Sequence, residues 1–210
     1  MPRSSPSLDM TPMVDLAFLL VTFFILTSQF RPEEPVVVDQ PSSVSQKAVP
    51  SSDLMTITID SAGRYFFDID QVDVRRNSLM EMAKRYNMTF TEEELFEFGR
   101  LQTFGVPMSA MKSYLDAKSD KRKLISDQLQ GIPSDTVNNQ LNELYNWIDC
   151  GRRMWFDKWG TGDSQKKLHY AIKGDNNVDY KKVKTVIDIF QSPQIQVNNF
   201  NMITDLEKGD

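Results

Sequence analysis

The sequence predicts an α/β protein with one N-terminal transmembrane helix, a linker, and a two-layer α/β domain (ββα…βαβ) that carries a large all-helical insertion. Three observations lead to this prediction. Residues 11–30 form one apolar run, several later segments alternate between apolar and polar residues, and most of the remainder follows the 3.6-residue period of amphipathic helices. The predicted boundaries are 1–10 for a tail, 11–30 for the membrane helix, 31–53 for an extended linker, 54–86 together with 167–205 for the α/β domain, and 87–166 for the insertion.

The apolar run of residues 11–30 has the length of a membrane span. Twenty helical residues extend about 30 Å, the thickness of the hydrocarbon core of a bilayer. Thr11 is interpreted as the N-cap, and Pro12 occupies the first helical position, where its missing N–H costs nothing. Because the run contains a carboxylate and no small-residue cleavage site follows it, we expect a retained anchor rather than a cleaved signal peptide.

Three polar residues of this run, Asp15, Thr22 and Gln29, are spaced seven residues apart. They therefore share one stripe, which drifts by about 20° per step and should face protein or water. Asp15 is interpreted as a proton carrier at a protein–protein contact; the alternative is an interfacial carboxylate near the helix start. Thr22 could contact a partner helix or the proton path, or bond a carbonyl of its own helix. A single span cannot form a conducting path, so a multi-helix partner is required.

The linker is rich in proline and serine, which favour an extended chain. Within it, Val36, Val37 and Val38 form a short segment that favours β-structure. Two interpretations stay open for this segment. It is either part of a simple tether, or a strand that pairs with another subunit or with the folded domain.

The α/β domain is assigned from alternating apolar residues and from local capping signals. The predicted strands are Leu54–Asp60, Arg64–Ile69, Leu168–Ile172 and Ile195–Ile203, the last with a bulge at Asn198–Asn199, and the predicted helices are Asn77–Tyr86 and a segment from Asp179 to near Pro193. This order gives a sheet with its helices on one face.

The insertion shows several helix signals. Thr91 and Glu94 form a capping box, Pro107 begins a second helix, and Lys121–Gln130 is a third. A fourth helix, capped by Ser134 or Asp135, should run through Ile148. An aromatic cluster follows it and is interpreted either as core or as a partner surface; its members are Trp155, Phe156 and Trp159.

The composition excludes several classes of function. The net charge of −5 offers no basic excess for nucleic acid. The single cysteine, Cys150, excludes an intrachain disulfide, and the single histidine, His169, argues against histidine-based catalysis. Three clustered acids lack the spacing of a calcium loop and are interpreted as a solvated turn; they are Asp68, Asp70 and Asp73. No cofactor, metal site or enzymatic activity is expected.

The segment Asp9-Met10-Thr11-Pro12-Met13-Val14-Asp15, followed by the apolar span, resembles the signature of the ExbD/TolR family of proton-driven transport subunits. The C-terminal stretches Ile172–Asp175, Tyr180–Asp188 and Asn199–Thr204 are similar to the final β-α-β unit of that family. The resemblance covers residues 7–86 and 167–205. It implies a single-pass inner-membrane protein with a cytoplasmic N-terminus and a periplasmic domain, in which Asp15 carries protons.

The resemblance also implies partners. The protein would form a homodimer whose spans sit inside a pentameric ExbB-like multi-span membrane protein, and the assembly would energise a TonB-like transducer for outer-membrane transport. The alternatives are a TolR-like subunit in envelope maintenance, or a passive membrane-anchored adaptor that binds peptidoglycan or a partner. A compact member of the family would not need a segment such as residues 87–166. We interpret this segment as a helical subdomain that recognises a specialised transducer or shields the sheet.

Overall fold

The structure is a computed structural model that describes residues 10–27, 38, 42–43, 50, 52–134, 142–160, 166–203 and 205–206. The chain divides into two compact units, residues 1–33 and residues 34–210. Each unit is described by itself below.

The first unit contains helix α1, Thr11–Thr27. Its large apolar side chains from Met13 to Leu26 are 54–85% exposed, and no described residue of the helix is buried. Thr11 is the first helical residue, and the carbonyl of Met10 accepts the N–H of Val14 at 3.1 Å. Pro12 therefore lies in the first turn, and the capping role of Thr11 stays a prediction. Among the described residues, no helix combines the length and the apolar character that crossing a membrane requires.

The second unit mixes strands and helices. Its strands are β1 Ser42–Ser43, β2 Leu54–Ile59, β3 Tyr65–Ile69, β4 Thr103–Phe104, β5 His169–Gly174, β6 Asn201–Ile203 and β7 Asp205–Leu206. Its helices are α2 Val72–Arg85, α3 Glu92–Arg100, α4 Met108–Asp116, α5 Ser119–Gln128, α6 Glu143–Trp159 and α7 Tyr180–Phe190. The predicted mixed α/β class is confirmed for this unit.

Five strands form one sheet in the order β4-β3-β2-β5-β6. The β2–β3 hairpin is antiparallel, with Met55 opposite Ile69. Strand β5 runs parallel to β2, with Leu54 opposite His169, and β6 runs parallel to β5. The short strands β1 and β7 pair separately and in parallel. Chain segments from both sides of the insertion thus meet at the centre of the sheet.

The helices α2, α6 and α7 pack against this sheet. Gly151 of α6 lies so close to the sheet that an added Cβ would be 3.0 Å from both Met55 and Phe67. These two side chains share one face of the hairpin because both belong to the same alternating set. The Tyr65 hydroxyl, on that face too, donates to the carbonyl of Lys182 in α7 at 3.2 Å. The predicted helical layer therefore covers this face.

An aromatic cluster joins the insertion to the sheet. It contains Phe67 of β3, Phe98 of α3, Phe104 of β4 and Trp147 of α6, and each is at most 1% exposed. The Trp147 ring lies 4.7 Å from that of Phe104 and 6.0 Å from that of Phe67, between ring centroids. The described parts of residues 87–166 and the flanking strands thus share one hydrophobic core.

The prediction of an all-helical insertion is wrong at residues 103–104. These form β4, which pairs with β3 through Phe67 opposite Phe104 and extends the sheet by one edge strand. A two-residue strand is too short to show alternation in the sequence, which is why it was not predicted. The burial of Phe104 among aromatic rings holds it at the edge of the sheet. The Cβ of an alanine at the next position, Gly105, would fall 2.1 Å from the Phe66 ring. The backbone after β4 therefore packs directly on the Phe66 side chain of β3.

Three further boundaries differ from the prediction. Helix α2 begins at Val72 and not at Asn77. Helix α6 is capped by Asn142, whose side chain accepts the N–H of Tyr145 at 3.0 Å, and not by Ser134 or Asp135. The predicted last strand, Ile195–Ile203, is regular only at β6. Ile195 lies in a turn, and Gln196 adopts a positive φ of 52°, which an extended strand does not allow.

A buried arginine joins α2 to β3 and α3. Arg75 is 4% exposed and donates to the carbonyls of Gly99 at 2.9 Å and Ile69 at 2.5 Å. It also forms an ion pair with Asp68 at 3.1 Å. One guanidinium on α2 therefore satisfies acceptors on two other segments, β3 and α3.

A buried carboxylate, Glu143, caps the start of α4. It is 6% exposed and accepts the N–H of Met108 at 2.7 Å, while the N-cap Pro107 offers no side-chain acceptor. Burial raises the pKa of Glu143 to about 7, although the Met108 hydrogen bond opposes the shift. Between about pH 4.5 and 7, Glu143 is thus protonated in the folded protein and ionised in the unfolded chain.

We expect the free energy of unfolding to fall by about 2 kcal/mol as the pH rises from about 4.5 to 7, because of Glu143. The sign follows because the folded state binds more protons than the unfolded state in this window. Above pH 7 the effect should level off. Glu143→Gln should remove this component and leave the protein more stable than wild type at pH 8.

Urea unfolding of the full chain in detergent micelles, followed by tryptophan fluorescence, measures this effect because all three tryptophans lie in α6. The exposed Glu93 of α3 supplies the control, since Glu93→Gln should leave the pH slope unchanged. Equal slopes for wild type and Glu143→Gln would contradict the prediction.

Candidate functional site

Asp15 is the only ionisable residue of α1. It is exposed, as are its apolar neighbours Val14 and Leu16. Its position places it about 6 Å along the axis from the first helical residue. Its predicted role as a proton carrier stays a prediction.

Thr22 follows Asp15 by seven residues and lies on the same stripe, about 10 Å further along the axis. Its hydroxyl lies 2.9 Å from the carbonyls of both Phe18 and Leu19. Of the two predicted roles of Thr22, the structure thus shows the hydrogen bond to a carbonyl of its own helix. The oxygen still has acceptor capacity for a partner. Gln29, the third member of the stripe, lies outside the described residues.

The proposed linker strand is only partly described. Val36 and Val37 lie outside the described residues, whereas Val38 is buried at 8% exposure and has no strand assignment. The linker instead forms β1 at Ser42–Ser43, which runs parallel to β7. The linker therefore pairs with the C-terminal end of its own chain, a few residues after the predicted position, and pairing through Val36–Val38 stays a prediction.

The other acidic and aromatic candidates have structural partners. Asp68 pairs with Arg75, and Asp73 pairs with Lys158 at 2.7 Å. Within the described ranges, no group of three or more metal-ligating side chains could hold an ion. Trp155 is 1% exposed and donates to Asp53 at 3.2 Å, so the core interpretation of the aromatic cluster is confirmed for this residue.

Residues 1–122, more than half of the chain, match the family model described as biopolymer transport protein ExbD/TolR. The chain belongs to the ExbD/TolR family. The match includes α1 with Asp15 and extends from there through β2, β3 and α4. The C-terminal stretch that contributed to the resemblance, residues 167–205, lies outside the matched range, although β5 and β6 complete the same sheet.

A curated relative supports the assignment to the ExbD/TolR family. The biopolymer transport protein exbD2 of Vibrio cholerae serotype O1 is 38% identical over 77 residues, which are 35% of this chain and 54% of the relative. The chain thus spans about half the length of the curated relative that it matches. No solved structure matches the chain.

Proposed function

We propose that this ExbD/TolR protein is a single-pass subunit of a proton-driven motor in the inner membrane. Residues 11–30 would span the bilayer, with the N-terminus in the cytoplasm and residues 34–210 in the periplasm. Two copies would sit inside a pentameric ExbB-like protein and energise a TonB-like transducer. The family and the relative support a role in biopolymer transport, and the remaining parts of the proposal rest on the sequence of the span.

The observation that carries the proposal is Asp15, the single ionisable group on an otherwise apolar helix. Burial against a partner would favour the neutral acid, and access to water would favour the carboxylate. One elementary charge that crosses a potential of 100 mV is worth about 2.3 kcal/mol, enough to bias a mechanical step. Asp15 would take up a proton on one side of the membrane and release it on the other as the partner ring moves.

Thr22 has a supporting role in this proposal. Because its hydroxyl proton is directed to the helix backbone, the oxygen can only accept a hydrogen bond from a partner helix or from water in the proton path. Thr22→Val keeps the shape of the side chain and removes this acceptor. We expect it to slow energised transport without abolishing it.

Asp15→Asn should reduce energised uptake to the level of cells that lack the chain, because asparagine cannot exchange a proton. The measurement is uptake, with and without a protonophore, in cells that co-express an ExbB-like multi-span protein. Asp15→Glu is the matched control and should keep part of the activity, since it retains a carboxyl group. Co-purification should show that both variants still assemble.

A chemical test addresses the same carboxyl group without a transport assay. Hydrophobic carbodiimides react with protonated carboxyl groups, so Asp15 in the assembled complex should be labelled less as the pH rises. Full transport by Asp15→Asn would contradict the proposal. Retained function after exchange of residues 11–30 for an unrelated apolar helix would instead favour the passive adaptor.

A further inference from the structure

The second unit contains an open cavity of about 460 Å³ beside the strands β5 and β6. Four separate segments line it: Pro50, the C-terminal half of α6, the start of β5 with the residues before it, and the segment from Ile195 to the start of β6. This volume is within the range of small-ligand sites. The mechanism proposed for Asp15 makes no use of this cavity.

The lining of the cavity is basic, although the chain as a whole has a net charge of −5. Arg152 and Lys167 contribute to it, and its described lining residues include no aspartate or glutamate. Elsewhere the arginines of the unit have acidic partners, such as Asp149 for Arg153 at 2.8 Å. Within the described part of the chain, Arg152 and Lys167 form no ion pair. The lining therefore carries the positive charges of Arg152 and Lys167, and the nearest carboxylate that interacts with Arg152, that of Asp149, lies outside the lining.

The Arg152 guanidinium is held at the wall of the cavity. It stacks on the Phe156 ring at 5.2 Å, donates to the Tyr170 hydroxyl and makes one long contact of 3.5 Å to the carbonyl of Gln194. Because a guanidinium has five N–H groups, those not used by Tyr170 and Gln194 can bind a ligand. Burial raises the pKa of the neighbouring Tyr170 to about 12, so that hydroxyl stays neutral and does not compete as an anion.

Amide side chains also line the cavity. Asn198, Asn199 and Asn201 all line the cavity, and none of them uses its side-chain amide in a hydrogen bond among the described residues. Each amide offers both donors and an acceptor, as a peptide bond does. Apolar lining from Leu168 and Ile195 completes a surface of mixed character.

We propose that this cavity binds an acidic peptide segment of a partner protein, with a carboxylate on Arg152 and Lys167 and the peptide backbone on the asparagine amides. The planar guanidinium matches a carboxylate with two parallel hydrogen bonds, and the lysine adds a second positive charge. The amide wall supplies the groups that a peptide backbone needs. The inference stands apart from the proton chemistry of Asp15.

The test measures binding of a fluorescein-labelled pentapeptide with two glutamates to the full chain in detergent micelles, by anisotropy. The same peptide with glutamines is the control ligand and should bind much more weakly. Arg152→Gln should weaken binding of the acidic peptide by about tenfold or more, because one charge-assisted contact is lost. Lys167→Gln provides a second, exposed position that should not affect folding, and it should weaken binding too.

The adjacent Arg153 supplies a matched control, because it is exposed, pairs with Asp149 and does not line the cavity. Arg153→Gln should leave binding unchanged, and so should Asp15→Asn, which separates this inference from the proposed motor function. Equal binding of the glutamine peptide, or equal losses for Arg152→Gln and Arg153→Gln, would overturn the proposal. Stronger competition by inorganic phosphate than by acetate would also overturn it in favour of a phosphate ligand.

Discussion

Trp147→Ala should lower the free energy of unfolding of the second unit by about 3–5 kcal/mol, because it removes the largest side chain from a closed aromatic cluster. Trp147 is fully buried and lies within 6.0 Å of three other rings, those of Phe67, Phe98 and Phe104. The cavity left by alanine would face rigid neighbours that cannot collapse into it. Urea unfolding, followed by the fluorescence of the two remaining tryptophans, measures the change.

Phe96→Ala is the matched control for this prediction. Phe96 belongs to α3, as Phe98 does, but it is 61% exposed. Its loss should cost less than about 0.5 kcal/mol. Similar effects of the two substitutions would mean that the aromatic cluster does not hold the insertion on the sheet.

The same cluster determines what deletion of residues 87–166 would do. Because Phe98, Phe104 and Trp147 pack with Phe67 of the sheet, the segment is not a removable subdomain. A chain without it would expose the apolar face of β3. We therefore expect a shortened protein to aggregate, so a role of this segment in recognition has to be tested by surface substitutions.

Arg75→Ala should also lower the free energy of unfolding by about 3–5 kcal/mol, because it leaves buried acceptors without a donor. The carbonyls of Gly99 and Ile69 would lose their hydrogen bonds, and Asp68 would lose its counter-ion. Burial already raises the pKa of Asp68 to about 6 against the opposing effect of Arg75. Removal of the guanidinium should raise this pKa further, and the variant should be relatively more stable at pH 5 than at pH 8.

A double-mutant cycle separates the ion pair from the two carbonyl contacts. Asp68→Asn alone removes only the charge of the partner, and Asp68→Asn with Arg75→Ala should cost less than the sum of the single changes. Denaturant unfolding at pH 8 provides all four values. Strict additivity would show that the 3.1 Å contact between Arg75 and Asp68 contributes nothing.

Local signals were sufficient for part of this fold. The capping box of Thr91 and Glu94 is confirmed, with both reciprocal hydrogen bonds formed. Asp179 caps α7 as expected, through the N–H of Lys181 at 3.0 Å. The hairpin of β2 and β3 also follows its alternation. Each of these features is decided by residues within a few positions of one another.

Features that depend on distant contacts could not be predicted in the same way. Strand β4 exists because Phe104 meets Phe67, and α6 begins at Glu143, after its N-cap Asn142, rather than near Ser134. The basic cavity draws Arg152, Lys167 and Asn199 from three segments that show no common motif. For Asp15 the sequence was the stronger guide, because a carboxylate in an apolar run is conspicuous without any tertiary information.

The parallel pairing of β2 with β5 has a consequence for how the protein is made. Leu54 and His169 are opposite each other in the sheet although more than 100 residues separate them along the chain. Non-local pairing of this kind slows folding, because loop closure must precede the contacts that stabilise it. Before the ribosome has released β5, the edge of β2 that pairs with β5 is open, and the apolar residues Met55, Ile57 and Ile59 of β2 are not fully covered. Nascent chains should therefore depend on chaperones until synthesis is nearly complete.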